Sequence, residues 1–157
     1  MSKSIGKQFE DQFREDVERV FKNMFIYRVP DQMSKMKGSR NICDFFLFVE
    51  NKLHLIECKT TKSNTLNFSN LSQYEALANN NKYKNVFPAV VIWFRKLDKV
   101  VYCPISEVIK IKRDGNKSIK ASFLNDDKYK IFEVPSKKKI TFLNSDYRFL
   151  REVEKNE

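Results

Sequence analysis

Apolar residues at Ile5, Phe9, Phe13, Val17, Val20, Phe21 and Met24 recur every three or four positions. That is the period of one helix face, so the chain opens on an amphipathic helix over Ile5–Met24, with Ser4 placed to cap it. From Arg28 to Arg40 the pattern lapses into a polar, basic linker broken by Pro30 and Gly38. Two runs then follow, Ile42–Val49 and Leu53–Cys58, separated by Glu50-Asn51. Both are apolar on both faces, which predicts a hairpin inside a central sheet covered on each side by helices. After a polar loop from Thr60 to Asn67, Leu71, Tyr74, Leu77 and Ala78 make a shorter helical stripe, capped by Ser69 or Ser72. Val86–Phe94 and Lys99–Cys103 read as strands joined by the charged turn Arg95–Asp98, and Ser106 begins a helix to about Ile111. Asp114-Gly115-Asn116 is a turn. Ile119–Leu124 and Tyr129–Val134 fit either strands or short extended pieces. Asn144–Val153 reads as a helix with Tyr147, Leu150 and Val153 on one face. The order α-β-β-α-β-β-α, without internal repeats, predicts one mixed α/β domain over residues 1–157.

A chain of 157 residues is long enough for one real core, and 3 Gly and 4 Pro leave little room for long linkers. No apolar run approaches the roughly 20 residues of a membrane span, and no apolar stretch follows Lys3 as a secretory signal would require. Cys43, Cys58 and Cys103 are odd in number and lack metal-type spacing. They read as buried free thiols in a reducing compartment, so the expected location is the cytoplasm. The net charge of +10, from 30 Lys and Arg against 20 Asp and Glu, favours an anionic partner. Nucleic acid is the commonest such partner.

The hairpin concentrates the chemistry. With Glu50-Asn51 as the turn, Val49 faces Lys52, and counting back sets Asp44 opposite Glu57 on one face. Directly paired residues have Cβ atoms roughly 5 Å apart, and Lys59, two residues beyond Glu57, shares that face. Two facing carboxylates repel unless a cation intervenes. Mg²⁺ suits such a pair, because one or two carboxylates plus water and substrate phosphate fill its shell. The ion would polarise a scissile phosphate, while Lys59 stabilised developing charge or positioned the attacking water. A plain salt-bridged cluster at a strand end is the competing explanation.

Glu10, at the margin of the first helical stripe, is placed to reach over the sheet edge and complete the metal shell. Gln73 in the second helix is a candidate partner for the active-site water or a phosphate oxygen. Both are otherwise ordinary surface side chains. Lys62 follows the catalytic strand, and Lys35, Lys37 and Arg40 precede the hairpin, so they would flank a groove and hold DNA phosphates. Lys137-Lys138-Lys139 is the densest basic run, equally readable as a solvated loop. His54 and Cys58 alternate to the face opposite Glu57 and read as packing residues. There is no Gly-rich phosphate loop or HExxH helix, and no nucleophile motif accompanies the single His.

Asp44 followed by Glu57-Cys58-Lys59 resembles the PD-(D/E)XK nuclease signature, and more narrowly that of the RecU-type Holliday junction resolvases. Gly6-Lys7-Gln8-Phe9-Glu10 is similar to the family's opening G-x-x-F-E helix. Cys43-Asp44-Phe45 and Ile56–Thr60 resemble its catalytic hairpin. Phe68 and Leu71-Ser72-Gln73 resemble the following loop and helix, and Val100-Val101-Tyr102 and Lys117-Ser118-Ile119 the later segments. The resemblance implies a restriction-endonuclease-like core with a central mixed sheet flanked by helices. It also implies a Mg²⁺-dependent homodimer, with Mn²⁺ able to substitute, that nicks four-way DNA junctions symmetrically in a bacterial or phage-infected cell. By this match Asp44 and Glu57 bind metal, Lys59 is catalytic, and Glu10 and Gln73 support them. The family's long basic stalk between first helix and catalytic Asp is reduced here to Arg28–Asn41, as in a compact, phage-like branch. Lys35, Lys37 and Arg40 are then the candidate substitutes. Two alternatives remain: a restriction- or repair-type nuclease on duplex, nicked or flap DNA, and a non-catalytic DNA-binding module on the same fold.

Overall fold

The structure, a computed structural model, describes residues 2–31 and 41–155. Helix α1 spans Ile5–Val20, and the Ser4 hydroxyl accepts the Lys7 N–H at 3.3 Å as the predicted N-cap. It ends at Val20 rather than Met24, because Phe21 turns extended while its N–H still closes on the Val17 carbonyl. The chain then forms a strand absent from the expectation, β1 (Phe25–Arg28). With Phe25 and Tyr27 exposed, β1 shows too little apolar patterning to be read from the sequence.

Strands β2 (Phe45–Val49) and β3 (Lys52–Thr61) form the expected hairpin, paired from Val49↔Lys52 to Phe45↔Ile56. Glu50 and Asn51 both have positive φ, 49° and 63°. Left-handed residues at both turn positions match the strands' twist, which is why a two-residue loop suffices without the Asn-Gly pair. Strand β4 (Thr65–Asn67) leads through a single tight turn, Phe68–Asn70, to helix α2 (Tyr74–Asn79). Gln73 occupies the N-cap with no side-chain capping bond, so neither Ser69 nor Ser72 caps this helix as expected.

Strands β5 (Val86–Phe94) and β6 (Lys99–Pro104) follow the predicted pattern, and helix α3 covers Ile105–Arg113. Gly115, at φ 93°, makes the turn after α3, a conformation that only Gly adopts freely. The two ambiguous segments yield β7 (Ser118–Lys120) with a 3₁₀ turn, and β8 (Phe132–Glu133). The expected C-terminal helix is instead strand β10 (Leu143–Ser145), paired with β9 (Ser136–Lys138), and a 3₁₀ turn at Arg148–Arg151. A three-residue spacing such as Tyr147, Leu150, Val153 fits a 3₁₀ turn as well as an α-helix. Ser145 N–H donates to the buried Asp16 carboxylate at 3.0 Å, which holds this segment extended across α1.

The six-stranded sheet runs β1-β2-β3-β5-β6-β8, with β3 and β5 parallel and every other pair antiparallel. It is the mixed sheet expected. On one face Phe9, Phe13 and Val17 pack against Phe45, Leu47 and Ile56. Phe13 is fully buried between the rings of Phe45 (5.0 Å) and Tyr147 (4.8 Å). On the other face Leu77, Val108 and Ile111 cover Leu55, Val90 and Ile92. The three cysteines are buried and free, as predicted. No helix among the described residues is long and apolar enough to cross a membrane.

Candidate catalytic cleft

The hairpin delivers Asp44 at the point where its ladder stops. Beyond Phe45↔Ile56 the hydrogen bonding slips by one residue, since Asp44 N–H donates to the Ile56 carbonyl at 3.0 Å. The Cys58 N–H is taken by the Asp44 carboxylate at 2.8 Å instead of by a backbone partner. Local breaks of this kind re-aim a side chain, and here the break fixes one Asp44 oxygen against β3. The Asp44 carboxyl thereby sits close enough to Glu57 to raise its pKa.

Glu57 is 1% exposed, and its Oε2 has no hydrogen-bond partner among the described residues. Burial, reinforced by Asp44 and only partly opposed by Lys59, pushes its pKa up to about 10. Glu10 reaches the pair from α1, on the other side of the sheet end. Its pKa is also raised, first by burial and then by Asp44, against the opposing pull of Arg28. Arg28 at the end of β1 holds Glu10 Oε2 at 2.7 Å and Asp11 Oδ1 at 2.6 Å, and Lys7 approaches the same Glu10 oxygen at 3.1 Å.

Glu10 and Lys59 border a cleft of about 400 Å³ that is also walled by Ser4, Lys7, Thr60 and Asn70. Glu57 interacts with Asp44, Lys59 and Glu10 at the sheet end, although the ladder expected to pair Asp44 with Glu57 ends one residue short, at Phe45↔Ile56. Gln73 does not line this cleft; its amide oxygen accepts the Ser72 hydroxyl at 3.0 Å, and Asn70 presents the amide there instead. Lys62 is exposed just past the end of β3. Lys35, Lys37 and Arg40 lie outside the described residues. Sequence reasoning missed Lys7, Arg28 and Asn70. Lys7 carried a weak signal as the i,i+3 neighbour of Glu10, whereas Arg28 carried none. His54 packs on Phe87 with ring centroids 5.5 Å apart, and burial followed by Lys52 lowers its pKa to about 4. It is a neutral core side chain, as its alternation indicated.

The donor set suits a hard divalent cation. Two carboxyl groups face each other, one with a buried oxygen that no group among the described residues satisfies. Such an arrangement is costly without a cation and is relieved by one. Among the described residues no three His, Cys, Asp or Glu side chains form a ready-made metal cluster. Glu10 is engaged by Arg28 and Lys7, whereas Asp44 and Glu57 have no salt-bridge partner among the described residues.

Fold and cleft together define a mixed α/β protein with a carboxylate–lysine site at the end of its central sheet. The family model of RecU, Recombination protein U, matches residues 28–145, and the chain belongs to this family, with its restriction-endonuclease-like core. The matched region contains Asp44, Glu57 and Lys59; α1, with Glu10, precedes it. A curated relative, the SPbeta prophage-derived uncharacterized protein YotM of Bacillus subtilis (strain 168), is 29% identical over 130 residues. That match covers 76% of this chain and 66% of the relative's length. Among solved structures, Hjc of Archaeoglobus fulgidus, a Holliday junction resolvase from an archaeal hyperthermophile, is similar with a TM-score of 0.49 at 16% identity. The similarity covers 74% of this chain and 89% of that one.

Proposed function

We propose that this chain is a divalent-metal-dependent DNA endonuclease of the cytoplasm that resolves four-way recombination junctions by paired, symmetric nicks, acting as a homodimer. The observation that carries the reading is Glu57, a buried carboxyl with an unsatisfied oxygen beside Asp44. A protein gains nothing in stability from that pair, and a bound cation would take the place of the proton that Glu57 otherwise keeps. Asp44 and Glu57 would hold Mg²⁺, or Mn²⁺ in its place. When bound, the ion polarises the scissile phosphodiester and offsets the charge that builds on it.

The remaining work falls to this chain's own side chains. The Cys58 N–H fixes Asp44, so its free oxygen keeps one direction. Lys59 lines the cleft two residues beyond Glu57, where an ammonium stabilises the negative charge that develops as water adds to phosphorus and a P–O bond breaks. Arg28 and Lys7 hold Glu10 at the rim. The net charge of +10 suits distributed phosphate contacts. A two-fold homodimer matches the two-fold symmetry of a four-way junction and supplies two cleavage sites.

The test is a panel of immobile four-way junction, flap and linear duplex, each incubated with the protein and Mg²⁺ beside an Asp44→Asn control. Junction-selective, metal-dependent nicking on opposing strands supports the proposal. Equal cutting of linear duplex removes the junction reading, and no cutting of any substrate removes the nuclease reading.

A further inference from the structure

The Lys137-Lys138-Lys139 run plays no part in the cleft described above, yet the fold gives it a defined place. Strands β9 and β10 form a hairpin whose four-residue end, Lys139 to Phe142, is closed by the Lys139 N–H donating to the Phe142 carbonyl at 2.7 Å. Ile140, at the tip, is fully exposed, the most exposed large apolar residue among the described ones. Lys137, Lys138 and Lys139 are all exposed beside it. Lys138 pairs with Asp98 at 2.5 Å, whereas Lys137 and Lys139 have no carboxylate partner among the described residues.

The hairpin is firmly seated. Ser136 and Ser145 join through their hydroxyls at 2.8 Å, and the buried Asp16 carboxylate accepts the Ser145 N–H. Phe142 packs on Trp93 with ring centroids 5.4 Å apart. Trp93 in turn pairs with Thr60, which lines the catalytic cleft, and contacts Phe9, the neighbour of Glu10, at 5.8 Å. The hairpin therefore projects from the same end of the sheet as Asp44, Glu57 and Lys59.

Taking the junction-cutting reading as given, we propose that the β9–β10 hairpin is a DNA wing. Lys137 and Lys139 contact the phosphates of an arm lying across the cleft, and Ile140 packs against the base pair exposed at the branch point. An isolated exposed isoleucine is unremarkable by itself. A rigid hairpin that carries one at its tip, next to lysines without a carboxylate partner among the described residues and beside the proposed cutting site, matches the way apolar wedges are presented to distorted DNA. A branch point is where a base-pair face is open to such a contact without the unstacking that continuous duplex demands.

The test uses the full chain in EDTA, so that binding is read without cutting, and measures affinity for a four-way junction and a linear duplex of equal length. Burying one isoleucine is worth on the order of a tenfold change in affinity. Ile140→Asp should lose about that factor on the junction, with Ile140→Ala losing less. Duplex affinity should stay within about twofold, because a duplex offers no open base-pair face. Lys137→Ala with Lys139→Ala should weaken binding to both DNAs and reduce the salt slope by about 2. Unchanged far-UV circular dichroism and thermal midpoint are expected, since these side chains are exposed.

Wild-type-like junction affinity in the Ile140 variants, with wild-type protein still binding and cutting, overturns the wing and leaves the nuclease reading standing. A shift in the monomer–dimer equilibrium without any change in DNA affinity also overturns it, by assigning the tip to a protein contact. Wild-type protein that binds no DNA removes both readings.

Discussion

Glu57→Gln should make the metal-free protein more stable, by an amount that grows with pH. The carboxyl is held protonated, with its pKa lifted from 4.5 to about 10 by burial first and by Asp44 second. Between those values the folded protein keeps a proton that the unfolded chain has released. The contribution of the protonated form is therefore intact below 4.5 and is lost steadily as pH rises toward 10. The slope is about 1.4 kcal/mol per pH unit. At pH 7, which is 2.5 units above the ordinary value, wild-type protein forfeits about 3 kcal/mol of folding stability on this account. At pH 5 the loss is under about 1 kcal/mol. The amide does not titrate and can donate to Asp44, so Glu57→Gln removes that loss. Urea unfolding in EDTA from pH 5 to 8 should show the two proteins diverging, with the variant ahead by about 3 kcal/mol at neutral pH. Added Mg²⁺ should narrow the gap by stabilising wild type alone. Stability curves that run parallel across this range would refute the reasoning, because they would mean that Glu57 keeps an ordinary pKa.

Asp44→Asn should abolish metal-dependent cutting with folding and DNA affinity retained, since the amide oxygen can still accept the Cys58 N–H; gel-shift and cleavage assays on one preparation check this. Lys59→Ala should lower the single-turnover cleavage rate by roughly 10²–10⁴-fold and DNA affinity only slightly. A proportional loss of both would make Lys59 a binding residue. Arg28→Ala strips Glu10 and Asp11 of bonds at 2.7 and 2.6 Å. It should destabilise the protein by roughly 2 kcal/mol in urea unfolding, because Glu10 is largely buried. A change below about 0.5 kcal/mol would mark the pair as an ordinary surface bridge.

The part of the site written in the hairpin is legible in the sequence because β2 and β3 are bounded apolar runs around a two-residue turn, and the buried strands tolerate only one register. That register carries the chain to the end of the ladder at Phe45↔Ile56, one residue short of Asp44 and Glu57. The slip at Asp44 is not legible, because it depends on a side chain taking over a backbone hydrogen bond. Arg28 was invisible because its strand is an edge strand with exposed aromatics, and its partners lie in α1, far away in sequence. Asn70 lines the cleft and Gln73 does not, because the chain makes a separate 3₁₀ turn before α2, and such short turns carry no period of their own. The tail defeats the helical expectation for a related reason: Tyr147 and Leu150 are buried as their spacing requires, while Asp16 and β9 dictate the backbone around them.

The central claim is that Asp44 and Glu57 together hold one divalent cation, and crystals soaked in Mn²⁺ test it directly through anomalous scattering. The account predicts a strong anomalous peak coordinated by both carboxylates, absent from crystals of Asp44→Asn. A fully liganded Mn²⁺ elsewhere, with Glu57 still protonated against an unoccupied Asp44, would contradict it.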